Sequence, residues 1–574
     1  MSRFNGLVMG VLGVVVAALA PHALNAQAGT SSDSIGEVHF AISCGDEAQR
    51  RFDRAVALLH HMTYFGAREE FSSIATAHPD CAMAHWGFAM TLFQPLWPVR
   101  PTPEDLERGR QAISRAGQIE STTARERMFI AATAAFFDPG ATEYWQRIER
   151  WAEGMRDAYE AYPEDVETRA FFALSLLATA PPSGDLTQNA TAAAVLETVL
   201  QTKPTHPGAV HYTIHANDAI GREAKSLGVV RRYGGIAPRN AHALHMPTHI
   251  YVRLGEWSGV IEGNQQAAEA AFETRVGDRM QWVWDEFPHA LEYVVYGFLQ
   301  IGDDSAALAA MTRLEQTRDL QPSFKTAFHL ASIPARYALE RRDWEGAAAL
   351  SPRPDSTLPW DRFPWPEAVT WFARGIGAVR TGNVQAGREA EARLAGLRDA
   401  SDRMGEELFE RQTEILRLGV AAWLAHAQAD TAQSLELMQQ AVDLEARTPK
   451  HAVTPAPTLP AAELLGDLLL ELNRPEAALE AYRSSLESSP GRFNSLAGAA
   501  RSADRVGDAT LARTYYRQLK ETAAPDSRRK ELAEAVAFLE RRSSRAGPRA
   551  TGSGRGVVPS TDIPHIFRTE ESTR

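Results

Sequence analysis

Six of the chain's seventeen histidines fall between His206 and Trp257. Two pairs repeat one spacing, His211/His215 in "HYTIH" and His245/His249 in "HMPTH". Residues four apart share one face of an α-helix, so each pair would present two imidazoles side by side. His242 joins the second pair at i, i+3 and i+7 spacing. Neutral imidazole is a ligand for Zn, Cu, Fe and Ni. Two helices each carrying such a face would converge four imidazoles on one point and hold Cu, Zn or Fe.

Other residues could complete such a site. "WDEFPHALEY" carries Asp285, Glu286, His289 and Glu292, the last two at i, i+3. A carboxylate there would ligate directly, or would orient an imidazole through its second nitrogen. His60 in "ALLHHM", His206, Asp218 in "HAND", Asp285 and Glu286 form a second tier of candidates. Pro247 lacks an N–H and clashes with the carbonyl four residues back. It would kink a helix running through His242, or open a helix at Met246 and leave His242 and His245 on the entering loop. A histidine between two helices also commonly packs and hydrogen-bonds without binding anything, and that alternative stands beside the metal.

Several familiar chemistries are excluded. "HYTIH" lacks the glutamate of H-E-x-x-H, and there is no P-loop, G-x-S-x-G elbow or C-x-x-C pair. Any catalysis would rest on a metal or on histidine.

Positioning these residues falls to helices. From about Asp46 the chain reads as amphipathic helix, short Pro-containing turn, then a helix rich in Ala, Gly and aromatics. In "AQRRFDRAVALLHHM", Phe52, Val56 and Leu59 share a face. Pro163 to Pro204 spans 41 residues and Pro204 to Pro238 spans 34, close to the roughly 34-residue helix–turn–helix period with one insertion. In the C-terminal part, small residues at Ala497, Gly498, Ala499 and Ala500 allow helices to approach closely. The fold class expected is all-α, a tetratricopeptide-repeat (TPR) superhelix.

The phrases "CAMAHWGFAMTLFQPLW", "HPGAVHYTIHAND", "HALHMPTHIYVRLGEW", "FPHALEYVVYGFLQIGDD", "IPARYALERRDW" and "HAVTPAPTLPAAELLGDLLLE" carry a resemblance to a family of exported bacterial TPR proteins, over about Val38 to Lys520. The resemblance implies a TPR superhelix and no established reaction. The paired H-x-x-x-H segments also look like those of an animal TPR protein group. The chain departs from the bacterial pattern at Gln94, Asn217 and Glu292.

At 574 residues the chain exceeds one ordinary core and suggests several domains or a continuous repeat array. Residues 1–28 read as a signal peptide: Arg3, an apolar run from Gly6 to Ala20, and small residues at Ala26 and Ala28. The expected location is periplasmic or secreted, with no transmembrane segment in the mature chain. Cys44 and Cys81 are candidates for a disulfide in that compartment. Residues 38–350 should form the N-terminal TPR-like repeats with the histidine cluster, and 367–541 the C-terminal TPR repeats. The Pro- and Trp-rich stretch 351–366 should connect them, its Trp360, Phe363 and Trp365 lining a groove or capping the apolar end of a helical block. Residues 542–574 read as a basic, disordered tail; from Arg541 onward there are seven arginines against three acids.

A net charge of −12 gives no electrostatic reason to expect nucleic acid as a partner. Two functions remain. One is a scaffold whose concave groove binds a protein, a peptide or a small ligand, with the histidines as polar groove contacts. The other is a metalloprotein or metal-dependent enzyme, activating water or dioxygen with Glu286 or Glu292 as general base.

Overall fold

A computed structural model describes residues 34–97, 100–181 and 184–543. The expected signal segment, and the expected tail beyond Ser543, lie outside the described residues.

Helices begin where the sequence supplies caps. Thr102 and Thr123 make reciprocal capping boxes with Asp105 and Glu126. Asp165, Asn240, Asp303, Ser323, Asn383 and Asp430 each accept from a backbone N–H of the following first turn. Pro207, Pro247, Pro364 and Pro475 stand in first turns, where a missing N–H costs nothing. Most helices pack closely on a neighbour in sequence, as Glu407–Ala427 does on Thr431–Ala446, and Phe493–Arg505 on Ala509–Thr522. The result is an all-α solenoid of stacked helical hairpins. Gly498 allows one close approach: a Cβ there would stand 2.3 Å from the Tyr482 ring.

One departure from helix was not expected. Arg275–Val276 pairs antiparallel with Trp282–Val283. Gly277, at φ +90°, and Met280, at φ +53°, turn the chain between them in a conformation that ends a helix.

The array curls back on itself. Helix Asp46–His60 meets Pro207–Asn217, so the first hairpin faces a repeat some 150 residues later. Arg100 ion-pairs with Glu406. The segment 448–460 enters the interior, where Arg336 donates to the carbonyls of Ala456 and Pro457. Arg492 is fully buried between Glu340 and Glu463, tying three repeats together. The expected connection 351–366 has no helix longer than Trp360–Arg362 until Pro364 opens Pro364–Arg380. Trp360 is buried against Ala327, Ala331 and Leu358, and Trp365 packs on Phe328 and Phe409. The main apolar core runs across this stretch, from Phe40 to Leu468.

A disulfide joins Cys44 to Cys81, 37 residues apart, and pins the N-terminal strap to the turn before Ala82–Met90. Closing a loop of that length stabilises by about 3–4 kcal/mol in the chain-entropy account. Urea unfolding of the full chain with and without reductant should show a loss of that order.

Candidate metal centre

The histidine helices are placed by their own local sequence. His206 caps Pro207–Asn217 through Nδ1, which accepts from the Ala209 N–H at 3.1 Å. That helix carries His211 and His215 one turn apart. The second group straddles Pro247. Ala241–His245 forms a helical turn capped by Asn240, Met246 keeps helical dihedrals, and Pro247–Leu254 continues. His242 and His245 thus sit on a helical turn and not on an entering loop, and the proline leaves all three histidines on one side. His289 comes from Glu286–Gln300.

The four imidazoles of the two H-x-x-x-H pairs do not meet at one point. Each pair instead recruits a third histidine. His211 Nε2 lies 3.1 Å from His215 Nε2 and 3.0 Å from His242 Nε2. His245 Nε2 lies 2.9 Å from His249 Nε2, and His289 completes that set, its ring centroid 4.3 Å from that of His245. The two sets adjoin: ring centroids are 6.0 Å apart for His215 and His249, and 6.1 Å for His242 and His245. His242 and His245 are neighbours on one helical turn yet belong to different sets. All but His215 are buried to 1% exposure or less.

The outward nitrogens decide the protonation of the inward ones. His211 Nδ1 lies 2.6 Å from the carbonyl of His60, which can only accept, so Nδ1 carries the proton. His245 Nδ1 donates at 2.6 Å to Asn264 Oδ1, whose identity is fixed because Asn264 Nδ2 donates to the Val260 carbonyl. His249 Nδ1 donates to Asp218 at 2.9 Å, and His242 Nδ1 to Glu286 at 3.3 Å. His289 Nδ1 faces His329 Nε2 at 3.1 Å, and His329 Nδ1 donates to Glu292 at 2.6 Å. That relay leaves His289 Nε2 bare, buried and without a partner. In neutral imidazoles so anchored, every inward Nε2 of these five is a lone pair. Two pairs of lone pairs then face each other at 2.9–3.0 Å with no hydrogen between them. Such a contact is repulsive unless a cation lies beside both nitrogens.

Electrostatics keep the anchors Asp218 and Glu286 charged and favour the neutral form of His211, His215, His245, His249 and His289. Burial opposes ionisation of Asp218 and Glu286, but Lys450 and Arg253 beside Asp218, and Lys325 beside Glu286, hold both carboxyls well below the usual range. Burial, reinforced by neighbouring imidazoles, pushes His211, His215, His245 and His289 well below theirs. Burial lowers His249 to about 4.

A third cluster contrasts with these two. His60 and His206 flank Glu167, with Nε2 of each 2.9 Å from one carboxylate oxygen. His206 Nδ1 accepts a backbone N–H, so its Nε2 must carry the proton and donate. His60 Nδ1 meets the Tyr212 hydroxyl at 3.0 Å. Burial works against the Glu167 carboxylate, yet His206 and His60 hold it below its ordinary range. Every nitrogen here has a hydrogen-bond partner, so the cluster is a complete structural joint. A Cβ on Gly208 would stand 2.5 Å from His60 Nδ1, and the ring is locked by Glu167 and Tyr212. Gly208→Ala should therefore destabilise the fold by about 1–3 kcal/mol, the usual cost of overpacking, read as a lowered unfolding midpoint.

The remaining expected residues take other places. Glu292 is no neighbour of the inward Nε2 atoms; it accepts from His329, Ser332 and Arg336 and orients His289 from two steps away. Asp285 ion-pairs with Lys325. Glu286 holds His242 and Lys325. Asp218 orients His249. Asn264, His329 and Lys450 carry no signal in the sequence, since none stands at ligand spacing from a histidine pair.

No protein-family model matches the chain, and no curated protein does. Among solved structures it is similar to a chain of "Crystal structure of APC/C hetero-tetramer Cut9-Hcn1", at 13% identity over 86% of this chain and 97% of that one. The TM-score is 0.25, and nothing is carried over from it.

Proposed function

We propose that this chain is an exported metalloprotein that holds two transition-metal ions, each by three imidazoles: one by His211, His215 and His242, the other by His245, His249 and His289. The observation that carries it is the pair of facing, proton-free Nε2 contacts, each ring being fixed from behind by an acceptor. Outer partners that set tautomer and orientation in this way are what metal-ligating histidines require. With metal–nitrogen bonds of about 2.0–2.1 Å, nitrogens 2.9–3.1 Å apart subtend about 90–100° at the ion. All-imidazole ligation suits Cu, Zn or Fe.

The stacked-hairpin scaffold is of the kind that serves protein interaction. Burial of the histidines favours the metal over a peptide lying on them. Export is supported by the leader-like opening sequence and by the Cys44–Cys81 disulfide, which suits an oxidising compartment. Among the described residues no helix is long and apolar enough to cross a membrane.

Elemental analysis of the chain purified without an affinity metal column should find about two equivalents of Cu, Zn or Fe. A chain free of metal both as isolated and after incubation with each ion would refute the proposal. Asn264→Leu removes the acceptor behind His245 and should weaken one ion's binding by about 10–100-fold in a chelator competition. His245, His249 and His289 would all remain in place.

A further inference from the structure

A cavity of about 950 Å³ opens beside the first histidine set, with His215 in its wall. Its size falls in the range of chambers that bury a small organic ligand. Its wall has two parts. Phe328, Trp365, Ile415 and Leu416 line an apolar part, the Phe328 and Trp365 rings meeting at a tilt with centroids 4.7 Å apart. Beside His215 lies a polar part made of Asp218, Arg253 and Lys450. Trp145 and Ile220, exposed at 44% and 59%, also line the cavity and mark where it meets solvent.

Within this patch cations outnumber carboxylates two to one, while Glu149, Asp185, Glu407, Glu445 and Glu487 line the rest of the cavity with Arg447. Asp218 alone answers both Lys450, at 2.9 Å, and Arg253, at 2.9 Å. Lys450 Nζ spends one further donor on the Thr454 carbonyl at 3.2 Å. Its side chain is only 7% exposed, and burial pushes its ammonium below the usual range, a cost that a buried anion would offset. Six neutral imidazoles would also leave the charge of two bound cations uncompensated a few ångströms away.

We propose that this cavity binds an amphipathic organic acid, its carboxylate beside Lys450 and His215 and its apolar body along Phe328, Trp365, Ile415 and Leu416. The placement of the carboxylate next to the ions rests on the metal reading; the apolar chamber and Lys450 do not. A neutral apolar molecule would leave Lys450 and Arg253 sharing the single carboxylate of Asp218, and a hydrophilic anion would leave the aromatic wall wet.

The test is calorimetric titration of the full chain with decanoate and with 1-decanol, on metal-loaded and on chelator-treated protein, with metal content measured on each sample. Decanoate should saturate one site and bind at least about ten times more tightly than decanol. Lys450→Met should abolish that preference, and Arg253 would still answer Asp218. Leu408→Arg puts a charge into the apolar wall at a half-buried position; it should abolish both bindings and leave metal content unchanged. Metal present without saturable decanoate binding, or decanoate binding that neither variant alters, would overturn the inference and leave the metal reading standing. Decanoate binding to a chain that takes up no metal would overturn the metal reading instead.

Discussion

His249→Ala should lower the bound metal from about two equivalents per chain to about one, and His215→Ala should do the same by emptying the other set. The double variant should hold none. Each substitution removes one of the three imidazoles of its set, a larger loss than the roughly 10–100-fold that an outer partner costs. The partition is what makes this result specific. Were all the imidazoles gathered on one ion, as the two H-x-x-x-H pairs suggest on paper, either single variant would weaken the same ion and the losses would not add. His206→Ala tests the contrast with the third cluster. There the carboxylate of Glu167 already takes both imidazole N–H groups, so stability should fall and metal content should stay at about two.

Arg492→Met should be among the most destabilising single changes away from the histidines, about 3–5 kcal/mol in urea unfolding. The guanidinium is fully buried, reaches Glu340 at 2.9 and 3.0 Å and Glu463 at 2.9 Å through two nitrogens, and meets the Tyr296 hydroxyl at 3.3 Å. Removing it leaves two carboxylates buried and face to face. Because Glu340 ends Phe324–Glu340, Glu463 opens Ala461–Glu471 and Arg492 precedes Phe493–Arg505, the loss should also loosen the curl that closes the array. Glu340→Gln should cost less, since Asn494 and Glu463 still engage what remains.

The solenoid was legible because its causes are local. Caps such as Asn240 and Asp430, first-turn prolines and the small residues around Gly498 act within a few positions of chain, so a helical-repeat fold follows from the sequence. The histidines were legible for the same reason: four-residue spacing is a property of one helix. Their grouping was not. Whether His242 turns toward His211 or stays with His245 depends on how far the array rotates between Pro207–Asn217 and Pro247–Leu254, and no spacing encodes that rotation. Nor does any local pattern connect Asn264 with His245, 19 residues back, or His329 with His289 across 40 residues. Glu292 stands at i, i+3 from His289, the spacing of a ligand pair; the helix does bring them to neighbouring positions, but Arg336, Ser332 and His329 claim the carboxylate. The inward segment 448–460 gave only proline-rich sequence, yet it supplies Lys450 and the carbonyls that hold Arg336.

The most direct measurement is anomalous diffraction at the Cu, Zn and Fe edges from crystals of chain never exposed to chelator or to a metal column. Two peaks are predicted, one about 2.0–2.1 Å from the Nε2 atoms of His211, His215 and His242, the other equally placed among His245, His249 and His289. No peak among these six rings, with an ordered water or a shared proton joining the facing nitrogens, would contradict the account.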